Sequence, residues 1–198
     1  MGLNNTIFIN PNKIDYINSI PIKFKKSTNF FIQKDWDDKK KLVSNHEKEH
    51  HTYITCKELF IDKIDYSQTK EYKLFIDYIN RGKSYKNCKN LDDIKNYFNK
   101  LNLTFEDIKK NNYKNKNQLD NTIIHKEIQF FLNSKGHLIK INAGNHRFAI
   151  ARILKIKSIP IALNLIHVDN ITKYKKNNDL SFFQYINHII KDIENKYN

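Results

Sequence analysis

The sequence predicts one α+β domain, a small mixed sheet with surrounding helices and a C-terminal helix. Three observations predict it. A length of 198 residues with 39% hydrophobic content suits a single soluble core. Apolar residues recur at helical spacing through the middle of the chain and again near its end. Between those stretches, after about residue 127, short apolar runs separated by turn residues read as strands. The expected division is an N-terminal arm at 1–26, a main domain at 27–170 and a C-terminal helical extension at 171–198.

Element by element, residues 1–26 read as irregular, because Pro11 and Pro21 interrupt regular structure. Ile20-Pro21-Ile22 suits an edge strand. Phe30-Phe31-Ile32 reads as a strand running into the acidic loop Asp35-Trp36-Asp37-Asp38, and 39–52 reads as a polar, solvated stretch. Residues 69–81 place Tyr72, Phe75, Ile76 and Ile79 on one helical face, with Gly82 as C-terminal cap. Residues 91–101 repeat the pattern with Asn90 as N-cap. Thr104-Phe105-Glu106-Asp107 resembles a capping signal for a short third helix, and 110–121 reads as a loop. A hairpin is expected from 127–132 and 137–141 around Asn133-Ser134-Lys135-Gly136, then a helix at 145–155 and a strand at 159–166. The final helix, 179–196, carries a broad apolar face, and Ser181 with Gln184 forms a capping box.

Composition narrows the function classes. No apolar run approaches the ~18 residues a membrane span needs, and no secretory signal is expected at the start, so the expected location is cytoplasmic. Cys56 and Cys88 form no CxxC and no disulfide framework. The net charge of +14 favours polyanions, yet nearly all of it is Lys; Arg81, Arg147 and Arg152 are the only arginines. Abundant Lys, Asn and Ile are what A/T-rich codons produce. A surface built to grip phosphates enriches Arg, whose planar fork binds two oxygens. Weak, non-specific nucleic-acid binding is the expectation. An arginine that persists against such a bias has a specific use.

Arg147 stands in the run Gly144-Asn145-His146-Arg147. Glycine lets the chain leave a strand tightly and lets a ligand approach the backbone. The following residues open a helix, so their N–H groups lack internal partners and the helix dipole favours an anion. Arg147 adds a fixed charge and His146 a switchable donor. The bland alternative is an ordinary glycine turn with two exposed polar residues.

The run Ile141-Asn-Ala-Gly-Asn-His-Arg-Phe-Ala-Ile-Ala-Arg-Ile-Leu-Lys-Ile-Lys-Ser-Ile-Pro-Ile161 resembles the signature of the ParB/sulfiredoxin superfamily. That signature is a strand, G-x-[HR]-R, a helix with small residues, and a strand entered through I-P-[VI]. The resemblance spans Glu127 to Ile166. More loosely, Asp35-Trp36-Asp37 and Thr52 to Gly82 resemble the upstream part of ParB-like proteins. It implies a ParB/sulfiredoxin-like domain that binds ATP or CTP, with Gly144, Asn145, His146 and Arg147 as the phosphate cradle. Three departures qualify it. Asn145 stands where sulfiredoxin has its catalytic Cys, so that chemistry is not expected. Ala143 stands where relatives often carry an acidic residue. After Ile166 there is one helix's worth of sequence, so a full ParB partition protein with its helix-turn-helix domain is not expected.

Two other groups enter. His46-Glu47-Lys48-Glu49-His50 matches H-E-x-x-H literally, but in a polar stretch with no apolar face. Adventitious metal binding by His46, His50 and His51 is favoured over zinc catalysis. Asp35, Asp37 and Asp38 beside Trp36 suit Mg²⁺ for a bound nucleotide at Asp35 and Asp37, with Asp37 as a base; otherwise they form an acidic turn anchored by a buried Trp. The reading that results is a nucleotide-dependent phosphotransferase or nucleotide hydrolase with an unidentified small-molecule or protein acceptor, with His146, Arg147 and Asp37 as catalytic residues. The alternatives are a ParB-like nucleic-acid-associated protein, DNA-binding or a nuclease, and a non-enzymatic nucleotide-sensing module.

Overall fold

The computed structural model describes residues 6–18, 31–32, 40–114, 128–141, 143–173 and 180–198. They form a mixed sheet of seven strands with helices packed against it. The longest strand, β7 (Ile159–His167), organises the sheet. It is buried along most of its length, as expected of a strand covered on both faces. Beside it lies the hairpin of β5 (Gln129–Leu132) and β6 (Leu138–Lys140), β5 running parallel to β7 and antiparallel to β6. Between Phe130 and Phe131 the register with β7 shifts by one residue, a bulge that re-aims the end of β5.

The other strands come from the chain's first 42 residues. β1 (Thr6–Ile9) pairs antiparallel with the start of β7, and β3 (Phe31–Ile32) pairs parallel with its end. β2 (Tyr16–Asn18) inserts between β6 and β4 (Lys40–Leu42). The expected irregular arm therefore supplies two strands, with Ile7, Ile9 and Ile17 in the core. Pro11 starts a single 3-10 turn between them, as a residue with no N–H to donate can. The run Ile20-Pro21-Ile22 lies outside the described residues.

The stretch 39–52 is the second correction. Instead of a solvated segment it holds β4, then α1 (Val43–Glu49) and the start of α2 (His51–Phe60). Val43, His46 and Thr52 are buried there. α3 (Lys70–Asn80) follows the expected pattern, capped by Thr69 and closed by Gly82 at φ +66°. The third correction is α4 (Leu91–Asn111), one helix where two were expected. The hydroxyl of Thr104 does not cap; it donates to the carbonyl of Lys100, one turn back (2.7 Å), and the residue is fully buried.

α5 (Asn145–Ile153) connects β6 to β7 and packs against α2 and α4. After β7 comes the short α6 (Asp169–Thr172), then α7 (Phe182–Tyr197) with both bonds of its capping box made. α7 packs on the domain itself. Ile186, Ile189 and Ile193 are buried, and Tyr197 accepts the N–H of Asn10 on its carbonyl and of Leu138 on its hydroxyl. Among the described residues no helix is long and apolar enough to cross a membrane.

Candidate functional site

The turn from β6 into α5 is built around Gly144. Its backbone is left-handed, φ +66° and ψ +29°, a conformation costing a residue with a Cβ about 1 kcal/mol. Its carbonyl accepts the Phe148 N–H, the first bond of the helix, and no side chain caps that end. The amides of the first turn, Asn145 to Arg147, therefore lie where a helix has no internal acceptor for them.

Two cations are buried at this turn. Lys140, the last residue of β6, is fully enclosed, and its ammonium donates to the carbonyls of Ile141 (2.7 Å) and Ala143 (2.9 Å) and to the side-chain oxygen of Asn145. Burial alone pushes it down to about 7. Arg147 is also fully enclosed. Its Nη2 donates to the carbonyl of Lys114, and the guanidinium lies over the ring of Tyr113 at 4.1 Å. Its Nε and Nη1 have no hydrogen-bond partner among the described residues. Asp107, on α4, bonds Lys114 through Oδ1 at 2.9 Å; its Oδ2 is buried with no hydrogen-bond partner among the described residues, and its charge meets that of Arg147 without a hydrogen bond between them. Donors of this strength are rarely left unused in an interior.

The side chain of His146 turns the other way, into a buried polar cluster centred on Glu71. Glu71 is in the first turn of α3 and is fully enclosed. His146 Nε2 lies 3.0 Å from one carboxylate oxygen, and the Tyr97 hydroxyl donates to the same oxygen at 3.1 Å. Lys86 donates to the other oxygen and, at 2.9 Å, to Tyr97. His51 Nε2 stands 3.7 Å from that oxygen and 2.8 Å from the Tyr85 hydroxyl. Burial opposes the charge on Glu71, but the bonds and charges of His146 and Lys86 win and hold it at about 2. For His146 burial outweighs the carboxylate and keeps it below 6.5. Lys86, whose ammonium bonds the carboxylate directly, is the cation of the cluster that reaches Glu71 from outside α5. Lys86 and Asn87 are both left-handed, at φ +49° and +65°, so the turn delivering that ammonium is strained.

Sequence reasoning missed Glu71. The apolar pattern of 69–81 drew attention to Tyr72 and Ile76, yet the deepest line on α3 is Glu71 and Phe75, both fully buried. A carboxylate four residues before a core Phe was the available signal.

The histidines of H-E-x-x-H do not share one helix, since His46 is on α1 and His50 caps the start of α2. The rings of His46 and His50 stack at 4.3 Å, as do those of His50 and His51. Stacked imidazoles do not converge their nitrogens, and the described residues contain no group of three or more His, Cys, Asp or Glu placed to hold a metal. Asp35, Trp36, Asp37 and Asp38 lie outside the described residues. A cavity of about 490 Å³, lined by Lys41, Lys70, Lys73, His50 and His51, reaches the Glu71 cluster through His51; Gly144 to Arg147 do not line it. Cys56 and Cys88 are free and buried, and burial pushes both thiols up, away from reactivity.

No family model matches this chain, and neither the curated proteins nor the solved structures contain a match to it.

Proposed function

We propose that this protein binds the phosphates of a nucleotide, ATP or CTP with Mg²⁺, at Gly144 to Arg147, and acts as a phosphotransferase or nucleotide hydrolase. One observation carries the reading. Arg147 is fully enclosed at a helix N-terminal turn with Nε and Nη1 unpartnered among the described residues, beside a second buried cation whose bonds go to neutral acceptors. Two buried cations at the positive end of a helix are mutually unfavourable, and the charge of Asp107, which bonds Lys114, offsets that of Arg147 only in part, so a further anion is favoured there. The resemblance of Glu127 to Ile166 to the ParB/sulfiredoxin pattern agrees with this chemistry. The nucleotide would supply the transferable phosphoryl group. Arg147 and the first amides of α5 would hold its charge, and Glu71 would fix the orientation of His146 at the same turn. Asp35 and Asp37 are the proposed Mg²⁺ ligands.

Calorimetric titration with ATP, CTP and GTP in the presence of Mg²⁺ tests the proposal. Wild type is expected to bind at least one of them. Arg147→Met fills nearly the same volume without charge and should weaken binding tenfold to a hundredfold, the ~1.5–3 kcal/mol of a charge-assisted bond. Arg147→Lys should recover only part, since an ammonium cannot bind two oxygens as a fork. Equal binding by wild type and Arg147→Met would remove the site from this turn.

A further inference from the structure

Lys140 is the best-enclosed lysine at the candidate site, and its bonds are unusual. An ammonium has three hydrogens. All three are spent on the chain either side of Gly144, on the carbonyls of Ile141 and Ala143 and the side chain of Asn145. None of these acceptors is charged. The ring of Phe148 lies 5.4 Å from the Nζ. The titratable groups whose charge it meets are His46 from α1 and His146 from α5, both held below 6.5 by burial first, with Lys140 among the lesser causes. Arg147 follows within the same helical turn. A charge so enclosed, with no carboxylate among its hydrogen-bond partners in the described residues, is costly to maintain.

We infer that Lys140 is the positioning residue of the anion site: its ammonium shapes the Gly144 turn, and binding of an anion draws a proton onto it. This rests on the phosphate reading of that turn. Burial brings Lys140 down to about 7, so above neutrality much of the free protein carries the amine. An amine has two hydrogens and one lone pair, and cannot satisfy three acceptors. A bound phosphate supplies the missing counter-charge and raises the group's proton affinity. The sign follows. Below pH 7 the ammonium is already present and affinity is highest; above it, affinity falls by up to tenfold per pH unit, with uptake of about one proton per anion bound.

The test is calorimetry with sulfate, which does not titrate in this range, and with ATP plus Mg²⁺, near pH 6 and near pH 8, in buffers of differing ionisation enthalpy. Wild type should take up about one proton per anion near pH 8 and almost none near pH 6. Lys140→Arg should bind with no uptake and a flat profile, because a guanidinium keeps its proton. Lys140→Met should bind at least tenfold more weakly near pH 6. Wild-type affinity that is equal at both pH values, without proton exchange, would overturn the inference while leaving the anion site standing. Uptake that persists in Lys140→Met would overturn it by assigning the proton elsewhere. If wild type binds neither sulfate nor ATP near pH 6, the phosphate reading fails and this inference fails with it.

Discussion

At the residue scale, three charged side chains of the described residues lie inside the molecule. Glu71, Lys140 and Arg147 are fully enclosed, and among the described residues only Glu71 has an opposite charge hydrogen-bonded to it, from Lys86. This predicts a pH profile with two windows. His46 is pushed down to about 4 and His50 to about 3, burial first, and neither ring nitrogen of His46 has a partner among the described residues. The unfolded chain therefore binds protons that the folded one refuses. The histidines' contribution to stability is full above pH 6.5 and is lost as pH drops from 6.5 toward 4. Glu71, at about 2 against an ordinary 4.5, contributes stability that is present above 4.5 and is lost as pH falls toward 2. Its share is on the order of 3 kcal/mol. Urea midpoints measured from pH 8 to pH 3 should show the first loss, and His46→Gln should reduce it. Glu71→Gln leaves Lys86 without its counter-charge and should cost roughly 3–5 kcal/mol at pH 7. A midpoint constant between pH 7 and pH 5 would contradict this account.

At the element scale, what holds each piece also decides how readable it was. α7 has a broad apolar face and a capping box in which Ser181 accepts from the Gln184 N–H and Gln184 accepts from the Ser181 N–H at 2.6 Å. Ser181→Ala should lower stability by about 1 kcal/mol in denaturant titration, with helix content preserved before the transition. No change would mean that packing of Ile186 and Ile189 alone fixes that end. The hairpin, α3, α5 and α7 were legible because period and punctuation agree there. Elsewhere they conflict. β2 offers only Tyr16-Ile17-Asn18, too short to show alternation, and it forms because β6 and β4 complete its ladder on both sides. α1 and α2 are polar sequences made helical by burial of Val43, Thr55 and Cys56. At Thr104 a capping signature loses to a bond with the preceding turn, and α4 runs on. Of the site, the Gly144 turn could be read locally. Its connection to Glu71 and Lys86 could not, because those residues meet it only through tertiary packing of α3 and α4.

At the scale of the whole molecule, the sheet draws on both ends of the chain: β1 at residues 6–9 pairs with β7 at 159–162. The net charge of +14 surrounds this frame with a diffuse attraction for polyanions. Nucleic acid should accordingly bind weakly, without sequence preference, and lose affinity steeply between low and physiological salt. Tight, sequence-selective binding at physiological salt would move the nucleic-acid reading to first place. The buried cations at the α5 turn make a different claim, that one position attracts phosphate specifically. Crystals soaked in ATP or in CTP with Mg²⁺ test it most directly. The account predicts phosphate density against the amides of Asn145 to Arg147, with Arg147 Nε or Nη1 within hydrogen-bond distance of a phosphate oxygen. Nucleotide density elsewhere, with Arg147 Nε and Nη1 still unpartnered, would contradict it.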